Sequence, residues 1–212
     1  MKKKIIIILL LFLLLGCKKI EKNNNNYIEL VTNCLNDKGI TNNVSLGYKY
    51  YVPKGVKKIK DFDNNQIFLI NGSKVYLYID IISYFYDKEI KIDNESENVF
   101  YYHKIEFKDK LGYIKIKKEK DNKYFVTIVY EYAKAEFYSD HEQLPKIITL
   151  TSIILNNIKY NDAIIEKILE GELGQFSEFT YEVDKPEDAN SNFSQYLEEY
   201  VQKEQTEQLP GE

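Results

Sequence analysis

Gln66-Ile67-Phe68-Leu69-Ile70-Asn71-Gly72-Ser73-Lys74-Val75-Tyr76-Leu77-Tyr78-Ile79-Asp80-Ile81-Ile82 decides the fold class. Two runs rich in β-branched and aromatic residues flank Asn-Gly, the strongest short-range signal for a hairpin. The second run, Lys74 to Ile82, is apolar on both faces, which predicts a strand covered on both sides and central in its sheet. Asp80 interrupts it, and strand alternation puts Asp80 on the same face as Tyr76 and Tyr78. A buried carboxylate needs hydrogen bonds or a cation. Asp80 therefore either anchors a polar pocket with the two phenols or lies at the sheet margin, bonded to Tyr or Lys. These three residues are the candidate binding site.

Outward from the hairpin, Leu46 to Val52 reads as a strand ended by Pro53 and Gly55, and Val99 to Phe107 as another. Leu111 to Glu119 and Lys123 to Tyr132 form a second hairpin across Lys120-Asp121-Asn122. Lys115, Lys117 and Lys118 alternate with Ile114 and Ile116, which reads as a solvated sheet edge. Short links of this kind make an antiparallel sheet.

Helical spacing begins at Tyr27 to Leu35, with Gly39 as the stop. Ser139 and Glu142 form a capping box ahead of a stripe running from Ile147 to Ile158. Asn161 or Asp162 caps the next helix, which carries Ile164, Ile165, Ile168 and Leu169 and stops near Gly171 or Gly174. A last helix from Asn192 to Lys203 aligns Phe193, Tyr196, Leu197, Tyr200 and Val201 for docking on the domain or on a partner. The expected class is α+β: an antiparallel sheet of about six strands with packed helices, behind an N-terminal signal helix. The expected organisation is a signal at 1–16, a tether at 17–27, one domain at 28–203 and a free acidic tail at 204–212.

The early strand Tyr48-Lys49-Tyr50-Tyr51-Val52-Pro53-Lys54-Gly55, the meander and the late long helix resemble the PsbP/Mog1-like α/β/α sandwich. The resemblance spans roughly residues 45 to 160 by element order. It implies a binding or adaptor domain rather than an enzyme.

The N-terminus carries a separate signal. Met1 to Lys4 is positively charged, and Ile5 to Leu15 is an unbroken apolar run. As a helix that run spans roughly 16 Å, well short of a bilayer core of about 30 Å. It suits the apolar core of a cleaved signal peptide. It ends Leu14-Leu15-Gly16-Cys17, which resembles the bacterial lipobox. The resemblance implies cleavage before Cys17 and acylation of its thiol, with palmitate among the chains, holding the protein on the outer face of the cell membrane. Each buried methylene contributes about 0.8 kcal/mol, so two or three chains anchor stably where one does not. Lys18, Lys19 and Lys22 add attraction to anionic head groups or simply a soluble spacer.

All 29 basic residues are Lys, and the formal charge of −4 becomes three units more negative once Lys2, Lys3 and Lys4 are removed. A mildly acidic chain without Arg is poorly suited to nucleic acid. The 19 Tyr residues accompany heavy use of Ile, Asn and Lys. A/T-rich codons encode that set, so the tyrosines carry no functional weight by number alone. With Cys17 acylated, Cys34 has no intramolecular disulfide partner and reads as a small core residue. No cofactor-binding, Walker or metal-spacing motif occurs. His103 reads as a half-buried, hydrogen-bonded strand residue and His141 as exposed in a first helical turn.

Two function classes follow. One is a non-catalytic surface domain that binds an envelope protein or peptide at the membrane. The other is an envelope hydrolase that uses carboxylates such as Asp80, Glu106 or Glu131, which requires two of them to share one pocket. Replacement Cys17→Ala is expected to leave an unprocessed precursor or release the protein. Globomycin-sensitive processing and metabolic labelling with an alkyne fatty acid check this, and unchanged labelling would refute acylation at Cys17.

Overall fold

A computed structural model describes residues 26–62, 64–92 and 99–173. The signal, Cys17, most of the tether, the Asn192–Lys203 helix and the acidic tail lie outside the described residues. The Asn71-Gly72 turn joins β4 (Asn65–Ile70) to β5 (Ser73–Ile79). Both turn residues take left-handed backbone, at φ 51° and 86°. That geometry matches the right-handed twist of the flanking strands.

Seven antiparallel strands make the large sheet, in the order β3-β4-β5-β9-β8-β7-β6. Its other members are β3 (Val56–Phe62), β6 (Tyr101–Phe107), β7 (Lys110–Lys118), β8 (Lys123–Tyr130) and β9 (Ala133–Asp140). Two meanders, β3–β5 and β6–β9, therefore meet at the β5–β9 seam. Three short strands, β1 (Asn43–Ser45), β2 (Tyr48–Tyr50) and β10 (Lys159–Tyr160), form a second sheet with β2 in the middle. The helices are α1 (Tyr27–Cys34), α2 (Ile81–Phe85), α3 (Leu144–Asn156) and α4 (Asp162–Leu169). The class is α+β.

Strand register sorts the large sheet into two faces. Phe68, Val75, Leu77, Phe137, Ile128 and Ile114 lie on one face and are buried. They join one cluster with Tyr27 and Val31 of α1, Tyr48 and Tyr50 of β2, Ile147 and Ile148 of α3, and Ile165 and Ile168 of α4. Removing this apolar surface from water, at about 25 cal/mol per Å², is the main stabilising force. Asn161 closes the start of α4 by accepting the backbone N–H of Ile164 at 3.3 Å. The opposite face presents Ile67, Tyr76, Tyr78, Lys134, Thr127 and Tyr113.

Several expectations are corrected. The large sheet has seven strands rather than about six: β3 and β9 join it, and the expected strand Leu46–Val52 instead supplies β2 of the small sheet. Ser139 lies within β9 rather than capping a helix, and α3 starts at Leu144 behind Gln143, which makes no side-chain cap. The lysine-rich strand β7 is interior, between β6 and β8. The solvated edge is instead β3, where Lys57, Lys60 and Asp61 are exposed beside a register shift at Lys58–Lys60. His103 is exposed, because β6 is the other edge. His141 is half-buried against the rings of Phe100 and Tyr124. Cys34 is a core residue, and burial followed by the nearby Asp37 charge pushes its thiol up to about 11.

Gly112 sits directly opposite Tyr130, where a Cβ would press on the Val129 carbonyl oxygen and on Tyr130 Cα. Backbone cannot yield as a side-chain tip can. Gly112→Ala is therefore expected to cost about 1–3 kcal/mol, seen as a lower Tm in thermal unfolding followed by circular dichroism.

Candidate functional site

β5 and β6 run in the same direction with three strands between them, so the chain joining them crosses the sheet. The described residues Lys88 to Lys91 of this connection line the second face together with Asn65, Tyr78, Val129 and Tyr113 of β4, β5, β8 and β7. A cleft of about 570 Å³ lies beneath this connection. Tyr78, Tyr113, Val129 and Ile79 line the cleft with apolar surface, while Asp80, Glu131, Lys88 and Lys134 bring charge to it.

Asp80 reaches this place by a change of direction. β5 ends at Ile79, and Asp80 is the N-cap of α2, its carboxylate accepting the Ser83 N–H at 2.8 Å. Its own N–H donates to the Tyr132 carbonyl at 2.8 Å. Asp80 is thus exposed at the sheet margin and does not share a strand face with Tyr76 and Tyr78. The apolar Ile81-Ile82 that follow it extended the strand pattern and hid the cap.

Glu131 begins the two-residue β8–β9 turn at φ 55°, where its N–H donates to the Leu111 carbonyl at 2.8 Å. Its carboxylate pairs with Lys110 at 3.1 Å. Behind these acids stand three tyrosines. Tyr84 stacks on Tyr160 with ring centroids 3.7 Å apart and meets Tyr132 edge-on at 5.7 Å. Tyr84 donates to Asp162 at 2.9 Å, and Tyr132 donates to Asp87 at 3.1 Å. Burial above all, then the Glu131 charge among others, pushes the Tyr160 phenol up. For Tyr132 burial again leads, followed by Asp87 and then by Glu131 and Asp80. Both candidate carboxylates are therefore felt by the same two phenols.

Of the residues singled out by sequence, the cleft brings together Asp80, Glu131 and Tyr78. Tyr76 shares the face of Tyr78 but does not line the cleft, and Glu106 projects from the exposed edge strand β6. Tyr113, Tyr132 and Lys134 were missed. Lys134 places its ammonium 4.6 Å from the centre of the Tyr78 ring and pairs with Glu136 at 3.2 Å. The one available hint was the Glu131-Tyr132 pair between two strands, the position of a tight turn. Among the described residues, no cluster of three or more His, Cys, Asp or Glu is placed to hold a metal, and no helix is long and apolar enough to cross a membrane. No protein-family profile matches this chain, and none of the curated proteins is similar to it.

Tyr48, Tyr50, Tyr130 and Tyr160 are all pushed above the ordinary phenol value, chiefly by burial, with Tyr130 at about 12. A folded pKa raised above the unfolded one stabilises the fold fully below the unfolded value, near pH 10, and that stabilisation is lost as pH climbs through the folded value. Alkaline titration is expected to show exposed tyrosines ionising first. The buried set should then ionise cooperatively with unfolding, read as a late step in absorbance at 295 nm coincident with loss of circular dichroism.

Proposed function

We propose that this chain is a lipid-anchored domain on the outer face of a bacterial cell membrane that binds an envelope protein or peptide through the cleft beneath the crossover. Anchoring rests on the short apolar run and the lipobox-like Leu14-Leu15-Gly16-Cys17. Binding rests on the cleft itself, whose aromatic walls and mixed-charge rim suit an amphipathic segment. The observation that carries a non-catalytic role is the engagement of both acids. Asp80 is held by a helix N–H and Glu131 by an ammonium, so each already has a structural partner. The adaptor role implied by the PsbP/Mog1-like element order agrees with this.

A second reading, an envelope hydrolase, is favoured by one observation: Asp80 and Glu131 line the same cleft. Glu106 does not belong to that pair.

A photo-reactive residue in place of exposed Lys91 at the cleft, or of Lys146 on α3 across the sheet, separates these ideas in living cells. Position 91 is expected to give a discrete adduct that position 146 does not, and that Tyr78→Ala weakens. Absence of adducts, or the same adducts from both positions, would count against binding at the cleft. Release of soluble fragments from isolated cell walls by the purified chain, abolished in both Asp80→Asn and Glu131→Gln, would put the hydrolase in its place.

A further inference from the structure

We propose that the outer face of the small sheet, with the segment leading into it, docks on the anionic surface of the bilayer to which the chain is tethered. The docking presupposes the lipid anchor proposed above. Tyr48 and Tyr50 turn one face of β2 into the core, which leaves Lys49 on the other. Lys49 stands directly opposite Val44 of β1 on one side and Lys159 of β10 on the other, and all three are exposed. Like charges directly opposite one another across strands are destabilising. The three strands contain no carboxylate to offset them, and among the described residues neither ammonium meets one. In a chain with more acidic than basic residues, such a pair suits an anion from outside.

Apolar side chains accompany the lysine pair. Of the seven large hydrophobic residues exposed among the described ones, Ile40, Val44 and Leu46 fall within seven positions, at 89%, 76% and 39% exposed. Ile40 is held outward between two braces. The Gly39 N–H donates to the Asn157 side-chain oxygen at 2.7 Å, and the Asn42 side chain makes two bonds with the Val52 backbone, at 2.8 and 2.9 Å. Apolar tips and flexible lysine stems can both enter a headgroup layer, with the ammonium groups at the phosphates. Position agrees. Nine residues, 18–26, separate Cys17 from α1 and reach roughly 30 Å when extended. α1 is about 12 Å long, and the segment beyond it meets Asn157, two residues before Lys159. The tether is therefore long enough to let this face lie on the membrane. A second copy meeting the same face by two-fold symmetry would set lysine against lysine.

The test uses the full mature acylated chain, reconstituted on vesicles of phosphatidylglycerol with phosphatidylcholine or of phosphatidylcholine alone. A nitrobenzoxadiazole probe is placed on Val44→Cys, or on Lys146→Cys at the far end of α3; buried Cys34 does not compete for it. On the anionic vesicles, spin-labelled lipid should quench the probe at 44 several-fold more than the probe at 146. Lys49→Glu with Lys159→Glu should remove that difference, as should raised salt in the chain with both lysines, while flotation with the vesicles persists. Equal quenching at the two positions, or quenching at 44 that survives the charge reversal, the salt or the omission of phosphatidylglycerol, would overturn the docking alone. Quenching at 44 that needs a high density of protein would overturn it too, giving the face to a second copy. Failure of the chain to float with vesicles would overturn the anchor, and the docking with it.

Discussion

The pairing of β5 with β9 holds this molecule together. It sets Val75 opposite Phe137, Leu77 opposite Ala135 and Ile79 opposite Ala133. Each meander alone is a small sheet with a bare inner edge, which is marginally stable and prone to pair with other chains. Joined, they give one continuous apolar face. The alanines matter here: Ala133 and Ala135 are buried, and their small side chains let α3 settle directly on β9. The same seam forces β6 to the far edge. The crossover, and with it the cleft, follows from where the two meanders join.

Tyrosine is the material from which much of this interior is made. Tyr27, Tyr48, Tyr50, Tyr124 and Tyr130 all lie in the core cluster. Some phenols find partners: Tyr48 bonds with Gln66, and the Tyr101 hydroxyl accepts the Ile28 N–H at 3.0 Å to tie α1 to β6. Others do not: among the described residues, the buried hydroxyls of Tyr50 and Tyr130 meet no hydrogen-bond partner. An unmet buried hydroxyl costs about 1–3 kcal/mol. The rings are thus retained for the volume they fill, in agreement with a codon-driven origin of the tyrosine content. A count of tyrosines carries little functional meaning here, whereas the position of Tyr78, Tyr113 and Tyr132 around one cleft does.

What could be read from sequence was whatever local chemistry alone dictates. Asn71-Gly72 can serve only a tight turn, Asn161 closes a helix three residues ahead, and the stripe from Ile147 to Leu155 has one period. The misread segments depend on distant partners. β3 looks polar because it is an edge, and edges are known only once the strand order is known. β9 looks unlike a strand because its alanines suit a helix that arrives later in the chain. Asp80 followed the strand pattern because Ile81 and Ile82 enter the core from a helix instead. The cleft was partly legible, since Asp80, Tyr78 and Glu131 were named from residue type. Tyr113 comes from β7, well before the Tyr132–Lys134 segment, and nothing local links the two.

The join between β5 and β9 also sets an order of events in time. β5 emerges early during synthesis, and its partner on that side is the last long strand of the domain. The first meander must therefore wait, one edge unsatisfied, while a whole second meander forms. Non-local closure of this kind slows folding, because the entropy of a long loop is surrendered before any contact compensates it. A chain with this topology favours completion of the polypeptide before commitment to the native state, and it is most vulnerable to aggregation while half made.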